Sequence, residues 1–200
     1  AIGVWIGTGS AFEEEGEGGA SHFIEHMLFK GTKTRSAQDI AVEMDSIGGS
    51  INAFTSKACT CYYAKVLDEH VGQAVDILAD IVQNSKLDPE DIKKEQGVIC
   101  EEILMIQDSP EDLAHESIAG LYYEGDPLSK PILGTEQTVR SFNQESLHAY
   151  MKRQYVPERI VISVAGHFEK QYLIDLFNEK FQSVPHGQAL EFKQNKAPGG

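Results

Sequence analysis

Two histidines and a glutamate occur within five consecutive residues of an otherwise apolar stretch, HFIEH at positions 22–26. An α-helix would place His22, Glu25 and His26 on one arc of about 100°, because each residue is rotated by about 100° from the last. Two neutral imidazoles one turn apart can share a metal ion, and His-x-x-Glu-His is the ligand spacing of one group of zinc enzymes. The glutamate would lie close enough to act on a metal-activated water.

The alternative interpretation is that these histidines are buried polar groups satisfied by carboxylates. A third ligand would favour the metal, because catalytic zinc sites commonly use three protein ligands. The predicted helix over 88–107 offers Glu95 and Glu102, which share its isoleucine stripe, whereas Glu101 points away. A carboxylate on a buried stripe needs a positive partner, and no lysine or arginine shares this stripe.

We therefore expect Glu101 to be solvated and Glu102 to be a buried metal ligand, with Glu95 close enough to support the ligands. The alternative for Glu102 is a side chain that extends to the edge of the protein.

Helices and strands in irregular order are predicted to position these residues. Because neighbouring strands form a hairpin, we predict an α+β fold with an antiparallel-rich β-sheet packed against helices. Apolar runs predict strands over 2–7, 50–56, 59–67 and 159–166. Periodicity with capping signals predicts helices over 20–30, 36–47, 68–84, 88–107, 109–123 and 169–181, and two helices within 135–155.

The 200 residues carry a formal net charge of −14. Nucleic acids and anionic membranes need a basic surface, and no apolar run is long enough to span a bilayer, so we expect neither partner. A solvated acidic surface and a basic peptide partner both remain open, and EEEGE at 13–17 is interpreted as a solvated loop. The three cysteines, Cys59, Cys61 and Cys100, are expected to be reduced and buried, as in a cytosolic protein.

Several longer stretches resemble the pitrilysin/insulinase family of zinc peptidases, in particular its short-chain bacterial branch. They are GASHFIEHMLFKGT, with Glu102 in EQGVICEEI 76 positions after His26, and GGSINAFTSKACTCYYAKVLDEH, DSPEDLAHE and KPILGT. This branch is similar to the β subunit of mitochondrial processing peptidase. The resemblance implies that zinc is held by His22, His26 and Glu102, that Glu25 activates water, and that Glu95 supports the site electrostatically.

The resemblance also implies that the strand around Asn52, Ala53 and Phe54 binds the backbone of a peptide substrate. Members of this branch carry a second, similar half, and two chains enclose a chamber that admits short or unfolded peptides. The linker-like KQNKAPGG at 193–200 is in keeping with a piece of a longer chain.

We therefore expect residues 1–200 to be the N-terminal zinc-binding catalytic domain of a homodimeric, cytoplasmic bacterial zinc metalloendopeptidase, with one Zn²⁺ per domain. The alternative is a non-catalytic peptide-binding or scaffold subunit of a processing-peptidase-like complex.

Overall fold

The computed structural model describes residues 1–189, so the linker-like segment at 193–200 lies outside the described residues. The elements are β1 (Ile2–Ile6), α1 (Ala20–Leu28), α2 (Ala37–Ser46), β2 (Ser50–Thr55), β3 (Thr60–Lys65), α3 (Val71–Asn84), α4 (Pro89–Asp108), α5 (Pro110–Tyr122), α6 (Glu136–Ser141), α7 (Gln144–Gln154), β4 (Ile160–Val164) and α8 (Lys170–Phe181). Each predicted helix and strand is present, and the bounds differ from the predictions by a few residues at most.

The four described strands form one sheet in the order β2-β3-β1-β4, and every pairing is antiparallel. The tight β2–β3 hairpin sets the register, in which Ala53 faces Tyr62. The predicted α+β fold with an antiparallel-rich sheet is confirmed. Because β2 pairs only with β3, its other side is an open edge within the described part of the chain.

The core lies between the sheet and the helices. Val4 from β1, Tyr62 from β3, Phe23 and Ile24 from α1, and Leu78 from α3 are all fully buried in one cluster. Helix α1 contacts α4, α7, β2 and β3, which explains why it is apolar around most of its circumference. Its one polar arc carries His22, Glu25 and His26 and is the part that faces neighbouring polar groups.

The cysteines within residues 1–189 are all free thiols. Cys61 and Cys100 are buried as predicted, whereas Cys59 is only half-buried because it lies in the turn before β3. No helix among the described residues combines the length and the apolar character needed to cross a membrane.

Candidate metal centre

Helix α1 is fixed at its start by a buried carboxylate from the acidic loop. The backbone N–H groups of Gly19 and Ser21 donate to the two oxygens of Glu13, at 2.8 and 2.9 Å. Gly19 has φ +91°, and a Cβ there would lie 2.4 Å from the carbonyl oxygen of Leu133, so the backbone approaches this closely only with glycine.

The interpretation of residues 13–17 as a solvated loop is therefore wrong for Glu13, which is buried. The free N–H groups at a helix N-terminus attract a carboxylate, and this attraction outweighs the tendency of an acidic loop to stay in solvent. Burial raises the pKa of Glu13, although the hydrogen bonds from Ser21 and Gly19 oppose that shift.

The structure brings His22, His26 and Glu102 together. The Nε2 atoms of His22 and His26 each lie 3.8 Å from Glu102 Oε2, and one ligand atom of each residue falls within 4.8 Å of the others. Within residues 1–189 these three form the one such group of potential metal ligands. Separations of 3.8 Å are too long for hydrogen bonds but suit donor atoms arranged around a cation.

An unsatisfied oxygen supports the fit to a metal ion. Glu102 Oε2 is buried and accepts no hydrogen bond from the described residues, although it lies between two imidazoles. An unpaired buried carboxylate oxygen is costly, and a cation would remove that cost. His22 Nδ1 is also buried without a partner, and burial together with the charge of His26 lowers the pKa of His22 to about 4. His22 is therefore neutral at pH 7, as a metal ligand must be.

The prediction that the Glu102 side chain is buried is wrong, because 40% of it is exposed. The neighbouring apolar residues Leu104 and Met105 of α4 are exposed as well, so the described residues cover this part of the helix only in part. The oxygen that faces the histidines, Oε2, is itself shielded from solvent. Glu101 is exposed, as predicted.

Glu95 lies behind His26. Its Oε1 is 2.8 Å from His26 Nδ1, and its Oε2 is 2.7 Å from Lys30 Nζ, with only 4% of the residue exposed. Burial acts to raise the pKa of Glu95, but the hydrogen bonds with His26 and Lys30 outweigh it and lower the pKa. For His26 the two effects have opposite signs: burial acts to lower its pKa, but the hydrogen bond to Glu95 and the nearby carboxylates outweigh burial and raise the pKa.

Lys30 was missed by sequence reasoning as the partner of Glu95. Helical periodicity relates Glu95 only to residues of α4, whereas Lys30 follows the end of α1.

Glu25 is half-buried, about one turn after His22 and directly before His26, and the Thr55 hydroxyl donates a hydrogen bond to its Oε2. Burial raises the pKa of Glu25, and the hydrogen bond from Thr55 opposes the shift. A carboxylate with a raised pKa beside a metal site suits a general base. Thr55 was not among the predicted site residues, because nothing in the sequence pattern links it to Glu25.

The predicted substrate strand is the open edge strand β2, where Asn52 and Phe54 are exposed and Ala53 is half-buried. The Ser56 N–H donates to the Cys59 carbonyl at 2.8 Å. Because hydrogen-bonded pairs alternate along an antiparallel ladder, the backbone groups of Ala53 and Thr55 point to the open edge, whereas those of Asn52 and Phe54 point to β3. The Ala53 N–H donates instead to Asn52 Oδ1 at 2.8 Å, so this one outward-facing N–H is capped by a side chain.

An α+β fold in which a His-x-x-Glu-His helix faces a glutamate of a second helix has the ligand spacing of zinc peptidases. Residues 1–136 match the family described as Insulinase (Peptidase family M16), and residues 141–199 match the one described as Peptidase M16 inactive domain. The chain belongs to the M16 family of insulinase- and pitrilysin-type peptidases, which confirms the family resemblance and supports a peptidase role in general.

Curated relatives of this chain are named as a zinc protease or as a subunit of a processing peptidase. The uncharacterized zinc protease YmxG of Bacillus subtilis is 53% identical over 176 residues, which are 88% of this chain and 43% of that protein. The probable mitochondrial-processing peptidase subunit beta of Arabidopsis thaliana is 39% identical over 183 residues, which are 92% of this chain and 34% of that protein. The chain thus spans less than half the length of these relatives.

Solved structures share the fold. The periplasmic protease PqqL of Escherichia coli matches with a TM-score of 0.83 and 25% identity, over 98% of this chain and 22% of that one. Pitrilysin matches with a TM-score of 0.81 and 23% identity, over 96% of this chain and 21% of that one, which is a likeness of fold alone.

Proposed function

We propose that this chain is the zinc-binding catalytic domain of a metalloendopeptidase that hydrolyses short or unfolded peptides. His22, His26 and Glu102 would hold the zinc ion. The observation that carries the proposal is the buried, unpartnered Glu102 Oε2 between two imidazole nitrogens. The choice of zinc rests on histidine and carboxylate donors and on the names of the relatives.

Zinc, when bound, supplies Lewis acidity that polarises a peptide carbonyl and makes water more acidic. Glu25 accepts a proton from the attacking water as its oxygen forms a C–O bond to the carbonyl carbon, and then delivers that proton to the leaving amine as the C–N bond breaks. Glu95 holds His26 through Nδ1 and thereby keeps Nε2 directed at Glu102.

The substrate would be an extended peptide that adds as a strand to the open edge of β2. Pairing through main-chain hydrogen bonds requires an unfolded segment and makes little demand on its sequence. The outward-facing backbone of Ala53 is available once the Asn52 side chain releases its N–H. A homodimer of the full-length protein and a cytoplasmic location remain parts of this proposal.

The test is Glu25→Gln in the full-length protein, assayed for bound zinc by elemental analysis and for cleavage of a fluorogenic peptide. We expect the zinc content to be retained and cleavage to fall by about 10²–10⁴-fold, the usual contribution of general acid–base catalysis. Glu101→Gln, an exposed change on α4, is the matched control. Undiminished turnover by Glu25→Gln would rule out the base assignment.

The second candidate is a non-catalytic peptide-binding subunit of a processing-peptidase-like complex. The match of residues 141–199 to a domain described as inactive favours it, whereas the intact set of His22, Glu25, His26 and Glu102 in residues 1–136 favours the enzyme. Stoichiometric zinc together with peptide cleavage that a chelator abolishes would decide for the enzyme. Peptide binding without zinc or cleavage would decide for the scaffold.

A further inference from the structure

Thr55 connects the peptide edge of the sheet to the side chain that handles the proton. We propose that Thr55 is a positioning residue: its hydroxyl fixes the Glu25 carboxylate, and its backbone takes part in docking the peptide. The inference rests on the proposed peptidase function and deepens it.

The direction of the Thr55 hydroxyl proton follows from its neighbours. Thr60, which faces Thr55 across the hairpin, is fully buried and donates its own hydroxyl proton to the Thr8 carbonyl at 3.1 Å. The Thr55 and Thr60 hydroxyl oxygens lie 3.4 Å apart. The single Thr55 proton is therefore directed at Glu25 Oε2.

This bond distinguishes the two oxygens of Glu25. Among residues 1–189, the Thr55 hydroxyl is the hydrogen-bond partner of the Glu25 carboxylate, and it engages Oε2. Oε1 is then the oxygen that takes the proton of water, in an orientation set by Thr55. A carboxylate without this bond can rotate about its terminal torsion, which is broad for glutamate.

The backbone of Thr55 belongs to the proposed peptide edge. By the alternation along the hairpin, Ala53 and Thr55 both direct their N–H and C=O groups away from β3. A peptide paired with Ala53 would reach Thr55 two residues further on, because strand residues of the same orientation repeat every two positions. Docking would therefore order the residue whose side chain holds Glu25.

The experiment compares Thr55→Val with Thr55→Ser in the full-length protein. Valine keeps the shape and strand preference of threonine but removes the hydroxyl, whereas serine keeps the hydroxyl. We expect Thr55→Val to lower kcat by about 10- to 100-fold, the scale of a misplaced catalytic group, and to leave KM, zinc content and affinity for a non-cleavable peptide close to those of the wild type. Thr55→Ser should retain most of the wild-type kcat.

A double-variant cycle separates positioning from structure. Once Glu25 is replaced by glutamine, adding Thr55→Val should cost little further activity, because both changes act on one step. Wild-type kcat in Thr55→Val, or a loss that Thr55→Ser does not repair, would overturn the inference and leave the peptidase proposal standing. Absence of cleavage by the wild-type protein loaded with zinc would overturn both.

Discussion

Glu95 Oε1 lies 2.8 Å from His26 Nδ1, on the side of the imidazole away from Glu102. The bond makes Nδ1 the proton-bearing nitrogen and leaves the Nε2 lone pair directed at the candidate metal position. Lys30 holds the other oxygen of Glu95 at 2.7 Å, so the carboxylate is buried without being unpaired. The histidine is thus aligned before any ion arrives.

Replacing Glu95 should weaken zinc binding. We expect Glu95→Ala to lower the zinc affinity by about 10- to 100-fold and Glu95→Gln to lower it less, because the amide oxygen still accepts from Nδ1. Competition with a chromophoric chelator measures the affinity directly, without an activity assay. Glu101→Ala, an exposed change on the same helix, is the control. Unchanged affinity in Glu95→Ala would mean that His26 is aligned by packing alone.

The buried Glu13 should make the stability of the protein depend on pH. Burial raises its pKa in the folded state above the ordinary value of 4.5, so the folded protein holds this proton more tightly than the unfolded chain does. The associated stabilisation is fully present below pH 4.5 and is lost as the pH rises through the folded-state pKa.

Urea unfolding of the wild type and of Glu13→Gln, measured from pH 4 to pH 8, tests this sign. The difference in unfolding free energy between them should favour the wild type most at the acid end and decline as the pH rises. Glu15→Gln removes a charge from an exposed position of the same loop and provides the baseline. A difference that does not vary with pH would contradict the prediction.

Replacing Arg35 should lower the stability of the protein substantially. Its guanidinium group lies 2.8 Å from Asp80, 2.7 Å from Asp76 and 3.1 Å from Glu43. Because Glu43 is on α2 and the two aspartates are on α3, these ion pairs join the two helices. Asp80 is 8% exposed, so Arg35→Leu would leave a nearly buried carboxylate without its cation. We expect a loss of about 3 kcal/mol in the free energy of unfolding, the lower end for breaking a buried pair, because hydrogen bonds from Thr32 and other side chains to Asp80 remain.

The control is Arg140→Leu, since the pair of Arg140 with Glu136 is exposed and should contribute little. Adding Asp80→Asn to Arg35→Leu should recover part of the loss, because the unpaired charge is removed. Equal stability of the two arginine variants by chemical denaturation would contradict the prediction.

The parts of the site that sequence could predict are those set within one helix. Helical periodicity alone places His22, Glu25 and His26 on one arc of α1, and the same argument places Glu101 on the exposed side of α4. The strands and helices could be predicted as well, because each is determined by a pattern within one short segment of the chain. For example, an aspartate followed by a proline is a typical helix start, and Asp88 does cap the N-terminus of α4 by accepting a hydrogen bond from the Glu90 N–H.

The contacts that sequence could not predict join residues from different elements. Lys30 meets Glu95, and Thr55 meets Glu25, only because α1 packs against both α4 and β2. The exposure of Glu102 depends on how much of this turn of α4 the neighbouring elements cover, which a helical wheel does not show. The burial of Glu13 likewise depends on where the acidic loop meets the start of α1.

Peptide binding at the open edge of β2 can be tested by removing one outward-facing N–H. Ala53→Pro removes the outward-facing N–H, which donates to Asn52 Oδ1 rather than to β3, so the hairpin hydrogen bonds should survive. If peptides bind by adding a strand here, this variant should raise KM by about tenfold, the effect of one lost hydrogen bond of ~1.4 kcal/mol, and leave zinc content unchanged. Ala53→Val keeps the N–H and is the matched control for added bulk. A KM unchanged in Ala53→Pro would show that the peptide binds elsewhere than along this edge.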